Sequence, residues 1–156
     1  MSSLVVNGVL TPTQLFDCAG NRLDIINADL AFGVPKESSI IKTLSKYFNE
    51  SVEKANYKYC PFDAESKLTK YEIKSRRNTY SAFPTTIIPV DKTERISGDR
   101  LVFVFNFIDG LYYIVHHKET FAEYEVKDIK AYRNGGVQTY KPHYMIPIED
   151  LIQIII

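Results

Sequence analysis

An aspartate, a glutamate and a lysine stand out in this chain by type and spacing. Asp63 closes the run Cys60-Pro61-Phe62-Asp63, and Glu72 and Lys74 lie in Tyr71-Glu72-Ile73-Lys74-Ser75-Arg76. The midpoint between Asp63 and Glu72 falls at Lys67-Leu68. An antiparallel hairpin turning there sets Asp63 directly opposite Glu72. Strand side chains alternate, so Glu72 and Lys74 share that face while Tyr71, Ile73 and Ser75 point the other way. Two neighbouring carboxylates repel, and a hard divalent cation with oxygen ligands is the usual way to keep both ionised near neutral pH. Such a cation lowers the pKa of a bound water and polarises a phosphoryl oxygen. An ammonium beside it orients that water or stabilises charge building on phosphorus. The chemistry so assembled is metal-dependent hydrolysis of a phosphodiester.

The same triplet spacing also suits a solvated strand face, and the chain holds two such copies in Glu65-Ser66-Lys67 and Glu125-Val126-Lys127. Context separates them from the copy at Glu72. Apolar Tyr71 and Ile73 alternate with it, a strand-like run from Tyr57 to Phe62 delivers Asp63 upstream, and basic residues follow. Glu65 falls at the turn. The copy at Glu125 has Asp109 as its nearest upstream partner, and Gly110 marks that aspartate as a hairpin turn.

Pro61, Asp63, Glu72 and Lys74 together resemble the signature of the PD-(D/E)xK nuclease superfamily, with Phe62 as one extra residue between proline and aspartate. The resemblance covers roughly residues 33 to 118. It implies a restriction-endonuclease-like fold, an α/β domain with a mixed central β-sheet flanked by helices. It also implies an endonuclease hydrolysing DNA phosphodiesters with Mg²⁺ or Mn²⁺. Asp63 and Glu72, with the backbone carbonyl of Ile73, would then ligate the metal, and Lys74 would position or activate the water. Many members carry a further glutamate on a helix ahead of the first core strand. Glu37 matches that position, because Gly33-Val34-Pro35-Lys36-Glu37 opens a segment with Ile40, Ile41, Leu44, Tyr47 and Phe48 at helical spacing. Glu37 also suits the first turn of any helix, where the macrodipole favours acids; Glu50 and Glu53 are weaker candidates. Some members only bind, so the alternative is a non-catalytic nucleic-acid- or protein-binding module on the same sheet.

Composition limits the setting. With 156 residues and 45% hydrophobic content the chain reads as a single domain over residues 1–156. Nineteen basic residues balance nineteen acidic ones, so DNA binding has to come from a local patch. Lys67, Lys70, Lys74, Arg76 and Arg77 form one beside the carboxylates, with Lys92 a further backbone contact. Tyr80 and Phe83, just past it, belong first to a core and second to base stacking. Cys18 and Cys60 make no disulfide framework, and no Cys/His set suggests zinc. A reduced intracellular compartment and no membrane contact are expected, since Met1 to Leu10 is neither a signal peptide nor a spanning segment. His116, His117 and His143 read as structural.

Periodicity predicts a helix from Pro35 to Asn49, strands near 56–63 and 69–76, an extended run from Asn78 to Ile88, a short helix over Asp91–Ile96, and a hairpin of Leu101–Phe107 with Leu111–His117 around Asp109-Gly110. Ile148 to Ile156 is apolar on too many sides to stay in water, so it is buried or packs on a partner. A homodimer suits an enzyme that cuts two strands.

Overall fold

The structure, a computed structural model, describes residues 5–6, 9–10, 37–56, 60–96, 99–132, 136 and 138–156. The chain divides into two compact units, Met1–Thr43 and Leu44–Ile156. In the first unit β1 (Val5–Val6) pairs antiparallel with β2 (Val9–Leu10). The rest of residues 1–32, with Cys18, lies outside the described residues. Helix α1 (37–48) begins in this unit, where it buries Ile40 and Ile41, and ends in the second.

The second unit is mixed α/β. A six-stranded sheet runs in the order β11-β8-β7-β5-β4-β3, formed by β3 (Glu53–Lys54), β4 (Ala64–Glu65), β5 (Thr69–Ser75), β7 (Arg100–Phe107), β8 (Gly110–Val115) and β11 (Ile152–Gln153). Its pairings are antiparallel except β5 with β7, which is parallel. The chain makes that parallel crossover through β6 (Thr85–Pro89) and the short helix α2 (Val90–Arg95). Strand β7 is buried at every residue from Leu101 to Phe105, the mark of a strand covered on both faces. On one face Phe103, Phe105 and Phe107 join Ile88, Ile146 and Phe121 in the main core. On the other, Phe48 at the end of α1 packs on Tyr71 (centroids 5.7 Å apart) and Tyr113 (5.0 Å).

A second, three-stranded antiparallel sheet, β6-β10-β9, was not anticipated as a set of elements. Strand β9 (Glu125–Tyr132) is rich in charged residues and β10 (Gln138–Pro147) is mostly polar and aromatic until Met145-Ile146, which on its own reads as a solvated ribbon. Burial of Ile146 and His143 on β10, and of Phe121 on the short helix α3 (Lys118–Phe121), is what ties that region to the core. His143 Nδ1 meets its own strand at the Lys141 carbonyl, 2.8 Å away, a structural setting as expected.

The strand expected over 56–63 starts later. Residues 57–59 lie outside the described residues, 60–63 are irregular, and β4 begins at Ala64. Pro61 lacks the N–H that a ladder needs, which is enough to hold the chain out of the sheet until it has passed. After Ile148–Asp150, a 3₁₀ turn, the C-terminal run splits: Leu151 and Ile154 are buried, while Ile152 on β11 and Ile155 and Ile156 beyond it remain exposed.

The β4–β5 turn is fixed by a carboxylate. Asn49, in the left-handed region at φ 53°, ends α1, and Glu50 follows. Glu50 Oε1 accepts from Ser66 Oγ (3.1 Å) and Thr69 Oγ1 (3.2 Å), and Oε2 accepts from Tyr71 Oη (2.5 Å). The Ser66 N–H to Thr69 carbonyl bond closes the loop at Lys67-Leu68. Burial, and then the Glu50 carboxylate, raise the Tyr71 phenol well above its usual range. Tyr71→Phe removes one charge-assisted bond from a fully buried position, and we expect it to lower the unfolding free energy by about 1–2 kcal/mol in denaturant titration.

Candidate active site

Hairpin β4–β5 pairs Ala64 with Tyr71 and Glu65 with Lys70, around the turn the spacing selects; one further step of that ladder would set Asp63 against Glu72, but the pairing ends at Ala64. The detail differs at Asp63. Its N–H donates to the Tyr71 carbonyl (2.9 Å), although Tyr71 is already the partner of Ala64. Two residues thus face one, as in a β-bulge, a device that re-aims side chains. The Asp63 carboxylate turns onto β5, where Oδ2 accepts from the Ile73 N–H at 2.7 Å. It takes the place of the backbone carbonyl that Pro61 and Phe62, out of the ladder, do not supply. In an antiparallel pairing a residue's N–H and carbonyl point to the same side, so the Ile73 carbonyl is also turned toward the Asp63 edge of β5.

Glu72 is buried, only 4% exposed. A buried carboxylate is costly unless paired, and two ammonium groups approach it. Lys74 Nζ lies 3.3 Å from Oε1 and Lys92 Nζ 3.2 Å from Oε2. Lys92 donates its hydrogen bond to the Pro61 carbonyl (3.2 Å), and its approach to Oε2 has the distance of an ion pair without hydrogen-bond alignment. Glu72 Oε2 is therefore compensated in charge yet has no directed donor. Burial raises the Glu72 carboxyl above its ordinary value; Lys74 and Lys92 pull it down, and the Asp63 charge pushes it up.

Lys92 is the residue whose role changes most. Read from sequence as a DNA-backbone contact, it stands on α2 and reaches the Glu72 carboxylate, since the crossover between β5 and β7 lays α2 beside Pro61. Nothing in the spacing of Asp91-Lys92 signals this, because the contact spans separate elements.

The other expected phosphate contacts have partners within the protein. Lys70 pairs with Glu65 (2.8 Å) and lies over the Phe62 ring (4.9 Å). Arg76 is half-buried, donating from Nε to Thr86 Oγ1 (3.3 Å) and from Nη2 to the Ile87 carbonyl (2.7 Å), with its guanidinium over Phe105. It stitches β5 to β6, and burial lowers its pKa. Arg77 is exposed. Glu37 lies half-buried on α1 in the first unit, whereas Asp63, Glu72, Lys74 and Lys92 all belong to the second. Glu50 serves the turn, and Glu53 is exposed on β3.

The groups that could hold a cation here are the Asp63 and Glu72 carboxylates and the Ile73 carbonyl, with the Lys74 and Lys92 ammonium groups already against Glu72; Mg²⁺ is commonly held by one or two carboxylates with waters and phosphate completing the shell. Among the described residues no group of three or more His, Cys, Asp or Glu is placed to share a metal, so the carbonyl and solvent would have to supply the remaining ligands. Among the described residues, no helix is long and apolar enough to cross a membrane. No protein-family model, no curated protein and no solved structure matches this chain.

Proposed function

We propose that this protein is a metal-dependent DNA endonuclease with a restriction-endonuclease-like fold, hydrolysing phosphodiesters at Asp63, Glu72 and Lys74. The observation that carries the reading is the Glu72 carboxylate, buried, next to Asp63 across a bulged hairpin, with Lys74 on one oxygen and Lys92 3.2 Å from the other. Asp63, Glu72 and the Ile73 carbonyl would hold Mg²⁺ or Mn²⁺. The bound ion would supply Lewis-acid polarisation and a water of lowered pKa.

The protein's own groups do the rest. The Ile73 N–H fixes the Asp63 carboxylate by its 2.7 Å bond, so that group needs no reorganisation. Lys74, with its side chain 26% exposed, touches the buried Glu72 and still reaches solvent, where a phosphate and its attacking water would sit. Lys92, 22% exposed, holds Glu72 from the opposite side and tethers α2 to Pro61. The same reading proposes an intracellular protein, and two copies would serve two strands.

The test is cleavage of labelled linear duplex, nicked, four-way-junction and single-stranded DNA in Mg²⁺ or Mn²⁺. We expect at least one substrate to be cut, cutting to stop on chelation, and activity to return when metal is restored. Folded protein that cuts none of them with metal present would leave a binding module as the better account.

A further inference from the structure

Beyond the carboxylates, β5 leads into a cleft of about 390 Å³ lined by Arg76, Tyr80, Phe83, Thr86, Met145 and Ile148, among others. Its position relative to the site follows from the backbone. The Arg76 N–H donates to the Asn106 carbonyl (2.9 Å), which carries the parallel β5–β7 ladder one residue past Ser75. Alternation then puts Arg76 on the strand face that carries Glu72 and Lys74. At ~3.3 Å per residue, Arg76 stands about 7 Å from Lys74 and about 13 Å from Glu72 along the strand.

The lining selects a flat, uncharged, edge-polar ring. Tyr80 is a fixed wall: it stacks on Tyr112 at 4.1 Å and 10°, its hydroxyl donates to the Ile148 carbonyl (2.7 Å), and its N–H donates to Asp109 Oδ1 (2.8 Å). Phe83 is the opposite case, a large ring 59% exposed at the cleft. Arg76 is the only charged residue in the lining, and its guanidinium is engaged with Thr86 and the Ile87 carbonyl. One engaged cation is too little for a phosphate, which gathers several donors. Thr85, half-buried at the cleft, offers a hydroxyl that suits the polar rim of a heterocycle, and Phe83 suits its face.

We infer that this cleft takes an unpaired nucleobase of the strand being cut. The inference rests on the nuclease reading for its orientation. With one nucleotide per ~3.4 Å of a stacked strand, the captured base lies roughly two to four nucleotides from the scissile bond. The cleft holds a single base and no duplex, so the substrate class is single-stranded, frayed or branched DNA. Fully paired DNA would have to expose that base first.

Binding without metal tests this separately from cleavage. Wild-type protein in chelator is titrated with a labelled single-stranded oligonucleotide, and with versions carrying one abasic site at successive positions. We expect one abasic position to weaken binding about tenfold, in line with stacking on an aromatic ring. Phe83→Ala should lose the same factor on the intact oligonucleotide and nothing further on that abasic one, while Phe83→Trp restores affinity. Since Phe83 is exposed, an unchanged melting temperature should accompany the loss. If Phe83→Ala binds the intact oligonucleotide as wild type does, or weakens equally on every abasic version, the inference is overturned. Metal-dependent cutting alongside that result would leave the nuclease reading intact, whereas Phe83-dependent binding by a protein that never cuts would sink the nuclease reading and the base's spacing from a scissile bond, leaving base capture in the cleft.

Discussion

Lys74→Ala should give a folded protein that binds DNA and cuts it about 10²–10⁴-fold more slowly, the range for removing a positioned proton-transfer or charge-stabilising group. The argument is geometric. Lys74 Nζ sits 3.3 Å from a carboxylate that is 4% exposed, yet its own side chain keeps 26% of its surface in solvent. It therefore bridges a buried anion and the place where a phosphate would enter. A surface lysine would be screened and worth little, and a fully buried one could not meet substrate. The stability cost should stay near 1–2 kcal/mol. Breaking a buried pair outright costs ~3–5 kcal/mol because it strands a charge, but Lys92 still faces Oε2 at 3.2 Å after the change. The decisive reading is the single-turnover cleavage rate, taken with melting temperature and DNA affinity on the same sample. A variant that cuts within tenfold of wild type would remove Lys74 from the mechanism and point to Lys92 as the ammonium that matters.

How this site could be foreseen, and where foresight stopped, follows from the range of the interactions involved. The hairpin was legible because its causes are local. Eight residues separate Asp63 from Glu72, that spacing selects the turn at Lys67-Leu68, and alternation then sorts the faces. The bulge at Asp63 has a local cause as well, in Pro61, but whether a proline ends a strand or shifts it by one residue depends on the bonds that β5 has to offer. The intramolecular partners of Lys92 and Arg76 were not legible for a different reason. Their partners, Glu72 and Pro61 for one and Thr86 and Ile87 for the other, come from elements whose approach is set by the crossover through β6 and α2. A basic residue beside a candidate site looks the same in sequence whether it faces solvent or braces the site. The β6-β10-β9 sheet escaped notice because exposed charges at Glu125 and Lys127 hide the apolar positions that pack inward further along.

Glu72→Gln should abolish stabilisation by divalent metal, and this tests the metal reading without relying on turnover. An ion that binds the folded chain alone stabilises it by RT ln(1 + [M]/Kd), about 2.7 kcal/mol at a hundredfold excess over Kd. For a chain of this size that corresponds to a rise of about 5–10 °C in melting temperature. The wild-type protein should show such a rise with Mg²⁺ or Mn²⁺ and lose it on chelation. Glutamine keeps the shape of Glu72 but removes the charge, and its amide offers a hard cation one weak oxygen instead of a carboxylate. The metal-free variant should stay close to wild type in stability, because two opposing effects meet there. A neutral side chain avoids the desolvation of a buried anion, while Lys74 and Lys92 lose the charge they face at 3.3 and 3.2 Å. Both ammonium groups keep part of their surface in solvent, so they can turn outward, which an enclosed carboxylate cannot do. If metal raises the melting temperature of the glutamine variant as much as that of wild type, the ion binds elsewhere and the hairpin is not its site. If metal moves neither protein at saturating concentration, Glu72 is the centre of an ion-paired brace between β5 and α2, and the two lysines already supply all the positive charge it needs.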